Sequence, residues 1–148
     1  MRVLFTHSYF LRYDPKQWSI MQPYAPLGTI YASAALRKKG YEVDLHDVMF
    51  AEGPETLQPV LEKFKPDILV IYDDGFNYLT KMCLTNMREA AFKMSAMAKA
   101  AGCKVIISSS DSTDHFEKYL DNGADYIIIG EGEGTLSELA YAINEGTP

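Results

Sequence analysis

The feature that most constrains this chain is a rhythm of five short, nearly continuous apolar runs separated by segments of helical period. The runs are Arg2–Thr6, Tyr41–His46, Asp67–Tyr72, Lys104–Ser108 and Asp125–Ile129, each rich in Val, Ile, Leu or aromatic residues. Runs of this length, apolar without strict alternation, mark strands covered on both faces, and intervening helices make the sheet parallel. The spacing predicts helices over Leu27–Lys39, Pro54–Phe64, Thr80–Ala100, Thr113–Leu120 and Thr135–Asn144. Lys38-Lys39-Gly40, Lys65-Pro66, Ala101-Gly102 and Asn122-Gly123 precede the second to fifth strands. Basic residues suit a helix C-terminus, and Gly or Pro ends the helix there.

The pattern implies an α/β fold: a flavodoxin-like (Rossmann-like) three-layer sandwich with a five-stranded parallel sheet. Right-handed crossovers favour the strand order 2-1-3-4-5. The 148 residues, 47% hydrophobic and 23% charged, form one domain, 1–148, large enough to need no disulfide or metal staple. Cys83 and Cys103 fit neither a zinc spacing nor a CxxC pair and read as reduced thiols. Met82, Met87, Ala91, Met94 and Ala98 fall near one stripe of the longest helix and read as core. A net charge of −6 argues against a nucleic-acid partner, which would need a basic face. No run is long enough to span a membrane and no secretory leader is visible, so the expected location is the cytoplasm with no membrane partner.

In such sheets ligands bind beyond the carboxyl ends of the strands, where the strand order reverses. The loops expected there are unusual. His7 to Ala25 is a 19-residue connection carrying Tyr9, Phe10, Tyr13, Trp18 and Tyr24. It is too long for an ordinary βα loop and too aromatic for a linker. It is expected to form a lid or wall over a large flat ligand, or else to pack on a neighbouring domain. The other strand ends are small and polar: Tyr72-Asp73-Asp74-Gly75-Phe76-Asn77, Ser108-Ser109-Ser110-Asp111-Ser112 and Gly130-Glu131-Gly132-Glu133. Hydroxyls and approachable glycine amides suit a ligand with amide, hydroxyl or phosphate groups. Each loop could equally cap the helix that follows it.

The smaller motifs exclude several chemistries. Asp73-Asp74 resembles a magnesium-binding strand end, but Thr6-His7-Ser8 stands where receiver domains carry an acidic pair. Gly130-x-Gly132-x-Gly134 has the wrong spacing and position for a dinucleotide fingerprint. Pro23-Tyr24-Ala25-Pro26-Leu27-Gly28-Thr29 is not the Ser/Thr-rich phosphate loop of flavin mononucleotide proteins. His7, His46 and His115 assemble with no nucleophile or acid into a catalytic set, and His7 reads as a packing or hydrogen-bonding residue.

Three stretches together resemble one family. These are Pro26-Leu27-Gly28-x-x-Tyr31 through Leu36, Gly40-Tyr41-x-Val43 and Asp47; then Pro66-Asp67-Ile68-Leu69-Val70; and Gly130-Glu131-Gly132-Glu133-x-Thr135-x-x-Glu138-Leu139. They look like the N-terminal cobalamin (vitamin B12)-binding domain of cobalamin-dependent radical SAM proteins. The resemblance covers nearly the whole chain. It implies cobalamin as cofactor, held by Thr6, His7, Ser8, Tyr9, Pro26, Leu27, Gly28, Thr29, Tyr72, Asp73, Asp74, Gly75, Phe76, Asn77, Ser108, Ser109, Ser110, Asp111, Ser112, Gly130, Glu131, Gly132 and Glu133. The nucleotide tail is expected to enter the crevice, and the module is expected to be inert alone.

The resemblance also implies a parent chain continuing past Pro148 into a C-terminal radical SAM domain that holds a [4Fe-4S] cluster and S-adenosylmethionine. That parent would perform methyl transfer or a related radical reaction. The Asp-x-His-x-x-Gly sequence that supplies an axial histidine in other cobalamin domains is absent after the first strand, which implies cobalamin bound without a protein histidine. The competing reading is a cofactor-free flavodoxin-like docking domain that engages a partner through the aromatic loop.

Overall fold

The computed structural model describes residues 1–73 and 83–146. Five parallel strands, β1 (Arg2–Thr6), β2 (Glu42–His46), β3 (Ile68–Tyr72), β4 (Lys104–Ser108) and β5 (Tyr126–Ile128), form one sheet in the order β2-β1-β3-β4-β5. The expected topology is therefore the observed one. The register places Thr6 beside His46 and Ile71, and Ser108 beside Tyr72 and Ile128, so all five strands end along one rim. The order reverses between β1 and β3, which sets the switch point at the centre of that rim.

Among the described residues the helices are α1 (Pro15–Ile20), α2 (Leu27–Lys38), α3 (Leu57–Phe64), α4 (Leu84–Ala100), α5 (Ser110–Asp114), α6 (Phe116–Asp121) and α7 (Gly132–Asn144). Strand alternation divides the core in two. Val3, Phe5, Ile68, Val70, Tyr72 and Ile106 pack against Ala32 and Leu36 of α2 and Leu136 and Ala140 of α7. Leu4, Leu69, Ile71, Val105 and Ile107 pack against Leu57 and Leu61 of α3, Met94 of α4 and Tyr119 of α6. The methionine stripe is core as expected, with Met87, Ala91, Met94 and Ala98 all buried; Met82 lies outside the described residues. No helix among the described residues is long and apolar enough to cross a membrane.

Several elements differ from expectation: the helix read from Pro54 opens as a 3₁₀ turn over Pro54–Thr56 before α3, α7 starts at Gly132 rather than Thr135, and two further differences are larger. The helix read over Thr113–Leu120 is two helices, α5 and α6, meeting at His115, whose backbone leaves the helical region. Its start moves back because Ser109 and Ser112 form a capping box. The long connection after β1 is no open lid. It carries a 3₁₀ turn at Leu11–Tyr13 and then α1, capped by Asp14, whose carboxylate accepts from the Gln17 amide. Tyr9, Phe10 and Leu11 are buried, Tyr9 and Leu11 against Met49 and Met87 and Phe10 in the main core. The start of the segment is thus buried inside this domain, while Ile20 and Met21 at the end of α1 stay exposed.

The two sheet edges differ. β2 exposes Glu42 and Asp44, and β5 stops after three residues, shortly before Gly130 turns the chain at φ +85°. Beside β5 a groove of about 630 Å³ runs between α6 and α7, bordered by Phe116, Leu120, Ile129 and Leu139.

Candidate functional site

The rim formed by the strand ends divides into groups turned inward and groups left for a ligand. Thr6 is fully buried and its hydroxyl donates to the His46 carbonyl at 2.8 Å. His7 is 2% exposed; its Nε2 lies 2.7 Å from Asp47 Oδ1, which ties the loop after β1 to the loop after β2. That hydrogen bond is the first cause holding the Asp47 carboxyl below its ordinary value, against an opposing push from burial. His46 is half-buried, beside Thr56 at 3.3 Å, and burial lowers its pKa, with the nearby His7 acting in the same direction. His115 stands 3.9 Å from Asp111 at the α5–α6 junction.

Across the switch point, Ser8 donates twice to Asp73, through its backbone amide at 2.6 Å and its hydroxyl at 2.8 Å. Burial pushes the Asp73 carboxyl up, and the two Ser8 hydrogen bonds oppose it. The pair joins the end of β1 to the end of β3 at the position where the chain's strand order reverses. Tyr9 faces inward and donates to Asp14 at 3.0 Å; burial and that carboxylate push its phenol up. Tyr9 was expected on the ligand and is instead a core residue, because the turn at Leu11–Tyr13 folds it under α1.

On the α2–α7 side the crevice is also filled. Thr29 is fully buried and its hydroxyl donates to the Tyr72 carbonyl at 2.6 Å. Tyr72 is 8% exposed, with its ring in the core beside Ala32, Ile128 and Leu136. Gly132, at the start of α7, sits so close that a Cβ there would overlap the Tyr72 hydroxyl and ring. Gly132 therefore serves close packing of protein on protein, not approach of a ligand. The signal was present in the sequence: Tyr72 shares the parity of Ile68 and Val70, which face the same core.

Ser108, the last residue of β4, is buried, and Ser109 and Ser112 after it are engaged in the capping box. Asp111 accepts from Arg88 at 2.6 and 2.7 Å and from the Tyr119 hydroxyl at 2.7 Å. Burial alone pushes the Asp111 carboxyl up, but the hydrogen bonds from Arg88 and Tyr119 and the Arg88 charge outweigh it and leave it below its ordinary value. This cluster, which sequence reasoning missed, fixes the β4 loop to α4 and α6. Its partners are 23 and 8 residues from Asp111, and only the fold brings Arg88 to it.

What remains open on the rim is a mixed surface. Leu27 is 55% exposed at the start of α2, Ile129 is 63% exposed after β5, and Ser110, Gly130, Glu131 and Glu133 are exposed. Gly28 and Ser109 are half-buried, and Pro26 is buried. Neither α2 nor α7 has a side-chain cap; at α2 the Leu27 amide donates to the Ala25 carbonyl at 2.8 Å and the Ile30 amide to the Pro26 carbonyl at 3.0 Å. Asp74, Gly75, Phe76 and Asn77 lie outside the described residues. No cluster of His, Cys, Asp or Glu suited to a metal ion occurs among the described residues.

Comparison with known proteins agrees with this architecture. The sequence profile of the B12 binding domain matches residues 19–140. The chain belongs to the B12-binding domain family, whose flavodoxin-like α/β fold is the one described above. Among solved structures it is similar to a cobalamin-binding protein from Desulfitobacterium hafniense DCB-2, with a TM-score of 0.62 at 12% identity over 95% of this chain and 57% of that one. It is also similar to a LuxR-family DNA-binding response regulator from Staphylococcus aureus, with a TM-score of 0.55 at 14% identity over 97% of this chain and 96% of that one. At such identities the likeness is one of fold. No curated protein matches the chain.

Proposed function

We propose that this chain is a cobalamin-binding module of a radical SAM enzyme, inert alone, whose parent carries out methyl transfer or a related radical reaction. The observation that carries the cobalamin reading is the family match over residues 19–140, on a fold whose rim suits the ring. A corrin is a wide, largely apolar disc fringed with amide arms, and such a ligand needs apolar support and scattered hydrogen-bond partners. Leu27 and Ile129 supply exposed apolar surface, and the exposed Ser110 and the start of α7, which has no side-chain cap, supply polar partners. When bound, the cofactor would supply a cobalt centre able to carry a methyl group; this chain's residues hold and orient it.

No histidine of the chain is offered to the cobalt. His7 and His46 are turned to Asp47 and Thr56, and His115 lies beside Asp111. The radical SAM half of the proposal rests on the resemblance of the Pro26-Leu27-Gly28 and Gly130-Glu131-Gly132-Glu133 stretches. It assigns the [4Fe-4S] cluster and S-adenosylmethionine to a C-terminal domain of the parent.

The test is titration of the chain with hydroxocobalamin, then desalting and an absorbance spectrum. Retained stoichiometric corrin absorbance is expected, and Gly28→Trp should abolish it while leaving circular dichroism unchanged; Ser109→Trp should also abolish it but removes the α5 cap, so it is read together with a stability measurement. A folded chain that retains no colour would refute the reading. For the parent, anaerobic purification should yield an iron–sulfur cluster that cleaves S-adenosylmethionine reductively; a parent without iron would remove the radical SAM half.

A further inference from the structure

The crevice in which a nucleotide tail is expected to lie is occupied by protein. On one face of the sheet Ser8 and Asp73 bond across the switch point. On the other, the Tyr72 ring lies under the first turn of α7 so closely that residue 132 has no room for a Cβ. Thr29 closes the α2 side by donating to the Tyr72 carbonyl at 2.6 Å. Tyr72, Ala32, Ile128 and Leu136 then form one continuous buried cluster with the strand residues beneath them. A planar aromatic tail inserted between α2 and α7 would have to take the place of the Tyr72 ring.

We propose that Tyr72 sets which corrinoid the site accepts: its ring fills the crevice between α2 and α7, so a corrinoid is held by its ring and amide arms with the nucleotide tail outside. This rests on the corrinoid reading above and narrows it. The rim residues Leu27, Ser110, Ile129 and Gly130 remain exposed and are available to the macrocycle. The tail then contributes little to affinity, because a group left in water exchanges no solvent contact for protein contact.

The experiment compares cobalamin with cobinamide, the same macrocycle without the nucleotide tail, by equilibrium titration monitored by absorbance. The wild-type chain is expected to bind the two within about threefold of each other. Tyr72→Val removes the ring while keeping a strand-forming residue, and should shift the ratio at least about tenfold toward cobalamin by opening the crevice. Tyr72→Phe keeps the ring and should keep the wild-type ratio. A wild-type preference for cobalamin of about tenfold or more would overturn this inference and leave the corrinoid reading standing. An unchanged ratio in folded Tyr72→Val would remove the assignment to Tyr72. Failure of both corrinoids to bind wild type would overturn this inference together with the reading it rests on. The wild-type ratio needs no variant, so the test survives misfolding of Tyr72→Val.

Discussion

Asp111 offers the sharpest test of how the rim is held. Its carboxylate, 7% exposed, accepts from Nε and one Nη of Arg88 at 2.7 and 2.6 Å and from the Tyr119 hydroxyl at 2.7 Å. Asp111→Ala leaves a guanidinium and a buried phenol without their acceptor. Removing one partner of a buried pair costs ~3–5 kcal/mol. The Arg88 side chain keeps 20% exposure and regains part of that as hydration, so the expected loss is about 3 kcal/mol. In a domain of this size that corresponds to a fall in Tm of roughly 6–12 °C. Urea unfolding followed by circular dichroism at pH 7 measures it directly.

The pH dependence gives a second check. The Asp111 carboxyl titrates lower in the folded chain than in the unfolded one. Its stabilisation is therefore complete above about pH 5 and is lost as the pH falls through ~4 toward the folded value, so wild type and Asp111→Ala should converge in acid. Combining Asp111→Ala with Arg88→Met should show a coupling of about 1 kcal/mol or more. A loss below ~1 kcal/mol at pH 7, or a gap that widens in acid, would refute the clamp.

Other outcomes follow from the same contacts. His7→Ala should leave cobalamin binding and the cobalt spectrum unchanged while lowering stability by about 1–3 kcal/mol through lost packing and the lost Asp47 hydrogen bond; a spectral shift would mean that His7 reaches the cobalt. Asp14→Ala removes both the α1 cap and the acceptor of Tyr9, and should cost about 2–3 kcal/mol in a denaturant titration; an unchanged midpoint would contradict this. Burial pushes the Cys83 thiol up to about 12 and raises Cys103 in the same direction. With roughly one Cys83 in 10⁴ ionised at pH 8, a disulfide reagent should label neither thiol rapidly until urea unfolds the chain; fast labelling of the native protein would disprove it.

The sheet was readable because its inner strands are apolar on both faces, as β3 shows with every residue from Ile68 to Tyr72 buried. Helix ends were less so. One continuous helix over Thr113–Leu120 would fit the apolar spacing, yet residues eight apart lie about 12 Å apart along a straight helix. The break at His115 brings Asp111 and Tyr119 within 2.7 Å. Within the candidate site, residue type and loop position picked out the rim but could not say which groups face a ligand. His7, Ser8 and Asp111 are satisfied by Asp47, Asp73 and Arg88, partners 40, 65 and 23 positions away, and such pairings leave no local mark in a sequence. The start of the aromatic connection was hard to place for a related reason. Aromatic content says that a segment must be covered, not what covers it, and here Tyr9 and Phe10 are covered by their own domain.

The two margins of the sheet bear on how the protein behaves at high concentration. An edge strand presents unpaired backbone groups that can recruit a strand from another molecule, and folds guard against this with charge or brevity. β2 is guarded by charge, since Glu42 and Asp44 both project to solvent. β5 has an apolar groove alongside it and relies on being three residues long, with Gly130 in a left-handed conformation close behind it. Resistance to strand-mediated aggregation on that side therefore rests on the brevity of β5, and a β-branched residue in place of Gly130 would remove the left-handed turn that follows it, beside an apolar seam.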